Sequence, residues 1–125
     1  MITHINFTSI GVDNQDRALA FYRDVLGLTV DTDAPYGDDW RWIFLTIPGA
    51  ETKIHFAKRG EYTANGVPAL VLVCESVDQE IERLAAAKVT IANPPADAPW
   101  APDTRWAMIK DSEDNLILLQ SFPGD

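Results

Sequence analysis

The pattern of apolar and polar positions in the first part of the chain changes period twice, and each change predicts a new element. The residues from Ile5 to Val12 favour a strand, and the polar run 13–16 caps a helix and places negative charge at its positive end. Apolar residues then recur at helical spacing up to Leu26, and Gly27 follows where a left-handed cap is favoured. We therefore predict a strand that leads into a helix ending near Leu26.

Three further strands are predicted after this helix, because turn residues interrupt the remaining apolar segments. The turns contain Pro35 and Gly37 in one case and Pro48 and Gly49 in the other. The strands that they separate span 28–33, 40–47 and 52–57. This half of the chain is predicted to be β-α-β-β-β.

The same order of elements begins again after a polar stretch around Arg59 and Asn65. We predict a strand over 67–74, a helix over 77–87, a strand over 88–92, a proline-rich loop that includes Pro94 and Pro95, and strands over 104–110 and 115–122. The second half is therefore β-α-β-β-β as well. We expect an α+β fold in which two modules, 1–60 and 66–125, form a single domain of 125 residues.

The two halves also align residue by residue. Val12 matches Val73 and Leu28 matches Val89 at a constant offset of 61 positions. After the unequal loops the offset grows, so that Trp42 matches Trp106 and His55 matches Leu118. Insertions into the loops of a repeated scaffold produce this behaviour.

Three motifs carry a family resemblance. They are Ser-Ile-Gly-Val at 9–12 followed by Asp-Arg-Ala at 16–18, Phe-Tyr-Arg-Asp-Val-Leu-Gly at 21–27, and Asp-Ser-Glu-Asp-Asn at 111–115. With them the chain resembles the vicinal oxygen chelate superfamily, which includes glyoxalases, bleomycin-resistance proteins and extradiol dioxygenases. The resemblance covers nearly the whole chain. It implies a curved mixed sheet that encloses a cleft.

The resemblance also implies where a metal ion would bind. Metal-using members take ligands from the strand before each helix and from the last strand of each module, positions that fall here on Phe7, Pro68, His55 and Leu118. A divalent ion needs three or four nitrogen or oxygen donors at about 2.0 to 2.3 Å. Because three of these side chains offer no donor, we predict no tightly bound catalytic metal and no other cofactor. The chain thus resembles a branch that does not bind metal.

Strand alternation predicts which side chains face the cleft, because residues two apart share a face. They are Phe7, Ser9, Lys53, His55, Leu70, Leu72, Cys74, Leu116, Leu118 and Gln120. The set is mostly apolar with a few polar groups, which is typical of a small-molecule pocket. The alternative is that these residues pack into a filled core. Our candidate ligand-binding residues are Phe7, Ser9, Trp40, Trp42, Lys53, His55, Pro68, Leu70, Trp100, Trp106, Leu118 and Gln120.

The four tryptophans have two interpretations. Their rings can stack on planar or cationic ligands, or they can lie in the core or at a dimer interface. Trp40 and Trp100 have acidic neighbours, which favours a ligand-facing or interface role. His55 is the candidate catalytic residue, although a ligand anchor and a structural histidine are open alternatives. We expect Cys74 to be inert, because an apolar strand raises the pKa of a thiol.

Charge and cysteine content exclude some partners. Ten basic and nineteen acidic residues give a formal net charge of -9, which disfavours nucleic acids and anionic membranes. The acidic run 31–39 is either a solvated face or a rim that attracts cations. With one cysteine and no apolar run long enough to span a bilayer, we expect a cytoplasmic protein.

Three functions follow as hypotheses. The first is a metal-free protein, similar to the bleomycin-resistance branch, that binds a small amphipathic or cationic molecule and forms a homodimer. The second is a lyase, isomerase or dioxygenase that uses His55, with a metal held by other residues or with none. The third is a structural or regulatory module whose cleft has collapsed.

Overall fold

The fold was derived from a computed structural model that describes residues 1–59 and 67–122. The chain divides into two compact units, one within Met1–Thr63 and the other within Ala64–Asp125. The first unit contains β1 (Phe7–Val12), α1 (Gln15–Leu19), a π-helix (Ala20–Val25), β2 (Thr29–Tyr36), β3 (Trp40–Thr46) and β4 (Lys53–Lys58). The second contains β5 (Leu70–Val73), α2 (Val77–Ala86), β6 (Thr90–Asp97), β7 (Arg105–Lys110) and β8 (Leu116–Ser121).

Each unit forms one four-stranded mixed sheet. The strand orders are β1-β4-β3-β2 and β5-β8-β7-β6. The first strand of each unit pairs in parallel with the last, and the remaining pairs are antiparallel. The predicted α+β class with two β-α-β-β-β repeats is confirmed.

One face of each sheet is buried under its own helix. In the first unit Tyr22 of the π-helix packs on Phe56 of β4, with ring centroids 5.6 Å apart. In the second unit Val77, Ile81 and Leu84 of α2 are buried. The buried apolar side chains of the strands recur at every second position, as expected for a sheet covered on one side. They are Ile10, Val12, Ile43, Leu45, Ile54 and Phe56 in the first unit, and Leu70, Ala107, Ile109, Ile117 and Leu119 in the second.

Strand β6 extends further than the sequence predicts. Pro94 and Pro95 belong to the strand and not to a loop. They are tolerated because β6 is an edge strand and because its pairing with β7 is interrupted between Asn93 and Ala96, so neither missing N–H leaves a ladder bond unmade. The register of β6 against β7 also shifts on both sides of Asn93.

The first helix holds one more residue than the second, which corrects the predicted alignment of the units. The N-caps Asn14 and Ser76 are 62 positions apart, whereas Gly27 and Lys88, both with positive φ after the helix, are 61 apart. The π-helix absorbs the extra residue, and Leu26 N donates to Phe21 O, five residues back, at 2.9 Å. The single offset of 61 is therefore wrong for the strand before the helix.

Within the described ranges, no helix is both long and apolar enough to cross a bilayer.

Candidate functional site

The uncovered face of the first sheet is aromatic. Trp40, Trp42 and Phe44 occupy alternate positions of β3 and therefore share this face. The Trp42 ring lies 5.5 Å from Phe44 and 5.2 Å from Tyr36, and Phe7 of β1 lies 5.0 Å from Phe44. The rings meet at tilted or edge-to-face angles, the arrangement that aromatic quadrupoles prefer.

His55 lies at the centre of these rings. It is 9% exposed, and its ring centroid is 4.8 Å from Trp42, 4.9 Å from Phe44 and 5.5 Å from Phe7. Its Nδ1 forms a hydrogen bond with Ser9 Oγ at 3.0 Å, because Ser9 and His55 are register partners in the parallel β1–β4 pair. This bond and the surrounding rings fix the orientation of the imidazole.

A cavity of about 330 Å³ opens beside His55. Its lining combines aromatic rings with one ammonium and one carboxylate group, and it consists of Tyr36, Gly37, Asp39, Trp40, Trp42, His55, Ala57 and Lys58. Lys58 Nζ lies 5.3 Å from the centre of the Trp40 ring and 3.9 Å from Asp39 Oδ1. The cavity therefore offers flat apolar contact area together with one charge of each sign at close range.

Three predicted residues, Trp40, Trp42 and His55, meet in this cavity. Tyr36 and Asp39 were not predicted, because the sequence places them in a turn. The β2–β3 hairpin pairs Tyr36 with Trp40 and puts both side chains on one face. Tyr36 would have been found if β2 had been predicted to extend to this residue. Lys58 was not predicted, because strand alternation gives it the parity of Phe56 and therefore the helix-covered face, whereas at the end of β4 its side chain lines the cavity.

The other predicted residues of this unit share the face without lining the cavity. Phe7 and Lys53 are register partners, two positions before Ser9 and His55. Lys53 Nζ forms an ion pair with Asp31 at 3.5 Å, so its charge is already balanced.

The uncovered face of the second sheet is less aromatic. Trp106, Met108, Leu118 and Gln120 share it by strand alternation and register. Trp100, in the loop before β7, packs on Trp106 with ring centroids 5.2 Å apart. This brings the predicted residues Trp100, Trp106, Leu118 and Gln120 to one surface.

The predicted orientation of Leu70 is wrong. Leu70 pairs with Ile117, both are buried, and they lie on the helix-covered face. Val71 and Val73 pair with Leu118 and Gln120 and therefore lie on the uncovered face, the opposite of the prediction. By strand alternation Leu72 lies on the same helix-covered face as Leu70. The error came from the extra residue in the first helix.

The same shift corrects the predicted equivalence of Phe7 and Pro68. Ser9 pairs with His55, and Val71 pairs with Leu118, the equivalent of His55. The equivalent of Phe7, two residues before Ser9, is therefore Ala69. Pro68 is half-buried and lies just before β5.

Cys74 has the environment expected of an unreactive thiol. Its Sγ lies 3.6 Å from the Gln120 carbonyl oxygen, to which it donates a hydrogen bond. Burial, and secondarily the nearby negative charge of Glu80, raise the pKa of the Cys74 thiol. Little thiolate is therefore present at neutral pH.

Comparison with known proteins decides the family. The sequence profile of the Glyoxalase/Bleomycin resistance protein/Dioxygenase superfamily matches residues 2–119. The chain belongs to this superfamily. A superfamily member from Sphaerobacter thermophilus DSM 20745 has a similar structure, with a TM-score of 0.83 and 25% identity over 96% of this chain and 98% of that one.

Two further proteins that are similar to this chain are informative. TnmS3, an antibiotic binding protein from Streptomyces sp. CB03234, is 28% identical over 96% of both chains, with a TM-score of 0.82. The uncharacterized protein YurT of Bacillus subtilis (strain 168) is 35% identical over 90% of this chain and 94% of its own length. The family that the motifs suggest is thus confirmed.

The metal ion used by many superfamily members does not fit the donor set of this chain. The four equivalent positions hold Phe7, His55, Ala69 and Leu118, so one imidazole is the only donor. Among residues 1–59 and 67–122, no three His, Cys, Asp or Glu side chains cluster closely enough to bind a metal ion. One nitrogen would leave a divalent ion largely hydrated, so we derive no chemical step through a metal at these positions.

Proposed function

We propose that the protein binds a small amphipathic molecule with a planar ring in the cavity of the first unit and does so without a catalytic metal. The observation that carries the proposal is the cavity of about 330 Å³ walled by Tyr36, Trp40, Trp42 and His55. Its volume lies within the range of small-molecule sites, at roughly 300 to 1,000 Å³.

The exposed rings provide the driving force. Trp42 is 37% exposed although it contacts three other rings, so a ligand that covers it removes apolar surface from water. Burial is worth about 25 cal/mol per Å², and stacking adds roughly 0.5 to 1.5 kcal/mol for each ring pair. Contact area alone can therefore supply affinity.

The charged groups of the cavity select among amphipathic ligands. Lys58 already lies over the Trp40 ring, so a cationic ligand would have to use Trp42 and Tyr36 or displace the ammonium group. Asp39 provides a counter-charge for such a cation. A neutral planar ligand does not have to avoid or displace the Lys58 ammonium group and is the simplest occupant.

The similarity to TnmS3 supports this proposal, because that protein is described as an antibiotic binding protein and its chain is covered almost completely. A single domain formed by both modules, a homodimer and a cytoplasmic location are further parts of the proposal, taken from the family resemblance and the cysteine content. Sedimentation equilibrium of the purified protein tests the homodimer.

Titration with a panel of planar heteroaromatic molecules and cationic glycopeptides, followed by tryptophan fluorescence, tests the binding function. We expect saturable quenching by at least one planar compound and roughly tenfold or greater weakening of that binding in Trp42→Ala, because a central aromatic anchor contributes about 1 to 2 kcal/mol or more. Ile47→Ala is the matched control, since Ile47 is 39% exposed in the same unit but does not line the cavity. Equal affinities of the two variants, or no binding across the panel, would contradict the proposal.

The hydrogen bond between Ser9 and His55 favours one alternative, an enzyme that uses His55 as a general base without a metal. In that case the bond to Nδ1 would hold the ring so that the other nitrogen acts on the substrate. Turnover of a bound compound that disappears in His55→Asn, with binding retained, would replace the binding function by the enzymatic one.

A further inference from the structure

The two strands that flank the cavity of the first unit stop pairing where the cavity begins. In the described part of the chain, β3 pairs with β4 over Phe44–Thr46, although β3 itself begins at Trp40. Continued in the same register, the ladder would bring Arg41 opposite Lys58. The cavity is lined from both sides of this gap, by Trp40 and Trp42 of β3 and by Ala57 and Lys58 of β4.

The side chain of Gln15 takes the place of the missing strand. Gln15 begins α1 and is buried, and its Nε2 donates to Arg41 O at 2.7 Å while its Oε1 accepts from Arg41 N at 3.0 Å. A carboxamide can bond both backbone groups because it carries a donor and an acceptor, as a peptide group does. On the other side Arg41 is paired with Pro35 of β2, which has no N–H to donate. The N–H and C=O of one residue in an antiparallel strand point to the same neighbour, so the groups that bind Gln15 are those that would otherwise bind β4.

The second unit shows the paired alternative. Its helix α2 begins with Val77 at the position of Gln15, one residue after the N-cap in each case. Val77 is buried, and its side chain can neither donate nor accept a hydrogen bond. Here β7 pairs with β8 along its whole length, and Arg105, the equivalent of Arg41, lies opposite Ser121. An apolar residue at the start of the helix thus accompanies a closed ladder, and a glutamine accompanies an open one.

We propose that Gln15 is a positioning residue that keeps the cavity of the first unit open. Buried backbone groups need partners, and Gln15 supplies them for Arg41 from the helix side, so β3 has no need to pair with the end of β4. Lys58 agrees with this role, because a paired β4 would direct its side chain to the helix-covered face, whereas it lines the cavity. The value of an open gap to a ligand rests on the proposed function, but the state of the ladder can be measured without a ligand.

The variant Gln15→Val, which copies the second unit, tests the proposal. We expect Arg41 to pair with Lys58 in this variant, so that Trp42 and Ala57 become a non-hydrogen-bonded pair with Cα atoms about 4.5 Å apart. A cross-strand NOE between the Hα atoms of Trp42 and Ala57 in ¹³C,¹⁵N-labelled protein should therefore appear in Gln15→Val and be absent from the unsubstituted protein. A folded variant that lacks this NOE would overturn the proposal.

Binding of N-phenyl-1-naphthylamine, a neutral fluorescent probe, measures the consequence for the cavity. The affinity of Gln15→Val should be roughly tenfold lower or less than that, because the probe loses apolar contact area on both strands. The variant Trp42→Ala checks that the probe uses the cavity. If the NOE appears and the affinity stays the same, the cavity does not depend on the gap and the inference is wrong. If the unsubstituted protein does not bind the probe, or binds it without Trp42, the proposed function fails, and the NOE alone decides the inference.

Two further variants separate the bonds of Gln15 from other contacts of the helix. Gln15→Met keeps the length of the side chain and removes both bonds, so it should close the ladder as Gln15→Val does. Asp16→Asn is the matched control, because it weakens the ion pair of Asp16 with the Arg41 guanidinium group and leaves the backbone bonds intact. It should show no new NOE and keep the probe affinity within about twofold. If both Gln15 variants unfold while Asp16→Asn stays folded, Gln15 stabilises the whole unit and the proposed role is wrong.

Discussion

The two units build the same sheet in the same strand order, but they present different chemistry on the uncovered face. The covered faces are alike, with aliphatic residues such as Leu45 and Ile109 at equivalent positions. On the other face His55 of the first unit corresponds to Leu118 of the second. The fold constrains only the face under the helix, so the other face is open to a different use in each unit.

The turns between the last two strands differ as well. In the first unit the turn uses Gly49, whose φ is 87°, and Ala50 N donates to Ile47 O. In the second unit Asp111 organises the turn, and its buried carboxylate accepts bonds from Glu113 N at 2.8 Å, Asn115 N at 2.7 Å and Asn115 Nδ2 at 2.9 Å. One turn relies on backbone freedom, and the other relies on a buried acceptor.

The largest expected effect comes from removing that acceptor. Asp111→Ala leaves three donors without their carboxylate, and charge-assisted bonds of this kind make the expected loss of unfolding free energy about 2 to 4 kcal/mol. Urea denaturation measures it. Glu82→Ala, at an exposed position of α2, serves as the control and should change stability by less than about 0.5 kcal/mol. Equal effects of the two variants would show that Asp111 does not hold the turn.

The ends of the two helices give a smaller test. Gly27 and Lys88 follow them with φ of 84° and 67°, and only the first is a glycine. Gly27→Ala should cost about 1 kcal/mol, whereas Lys88→Gly should stabilise by up to about 1 kcal/mol, because glycine adopts this conformation without steric penalty. Thermal unfolding of both variants checks the opposite signs. A change of the same sign in both would mean that backbone conformation is not the deciding factor.

The repeated fold and the aromatic residues were predictable from the sequence, since strand alternation, caps and turn residues are local signals. The residue-by-residue alignment of the two units was not predictable, because the π-helix adds a residue without interrupting the apolar spacing of the first helix. Leu70 was assigned to the wrong face as a result. Pro94 and Pro95 indicated a loop, yet at a sheet edge they fit a strand. The sequence also did not predict that the buried Trp106 Nε1 finds no acceptor among the described residues, because only three-dimensional placement reveals whether a polar atom has a partner.

The smallest expected effect concerns a feature that the units share. Arg41 binds Asp33 at 2.9 Å and Asp16 at 2.7 Å, and Arg105 binds Asp78 at 2.7 Å and Asp97 at 3.3 Å. Hydrogen bonds from the guanidinium groups hold the pKa of Asp33 and the pKa of Asp78 below their usual values. Carboxylates with a lowered folded pKa stabilise the protein above their unfolded pKa of about 3.9, and this contribution disappears as the pH falls through the folded value.

Arg41→Gln should therefore reduce stability at pH 7 by less than about 1 kcal/mol, since solvent screens these partly exposed pairs. The difference from the unsubstituted protein should shrink as the pH falls below about 4, where the carboxylates become protonated. Arg105→Gln should follow the same direction, because the second unit repeats the arrangement. Urea unfolding of both variants at pH 7 and pH 3, with and without high salt, measures the difference. A deficit in either variant that persists unchanged at pH 3 would mean that its arginine stabilises the fold by packing and not by charge, and the units would then differ here too.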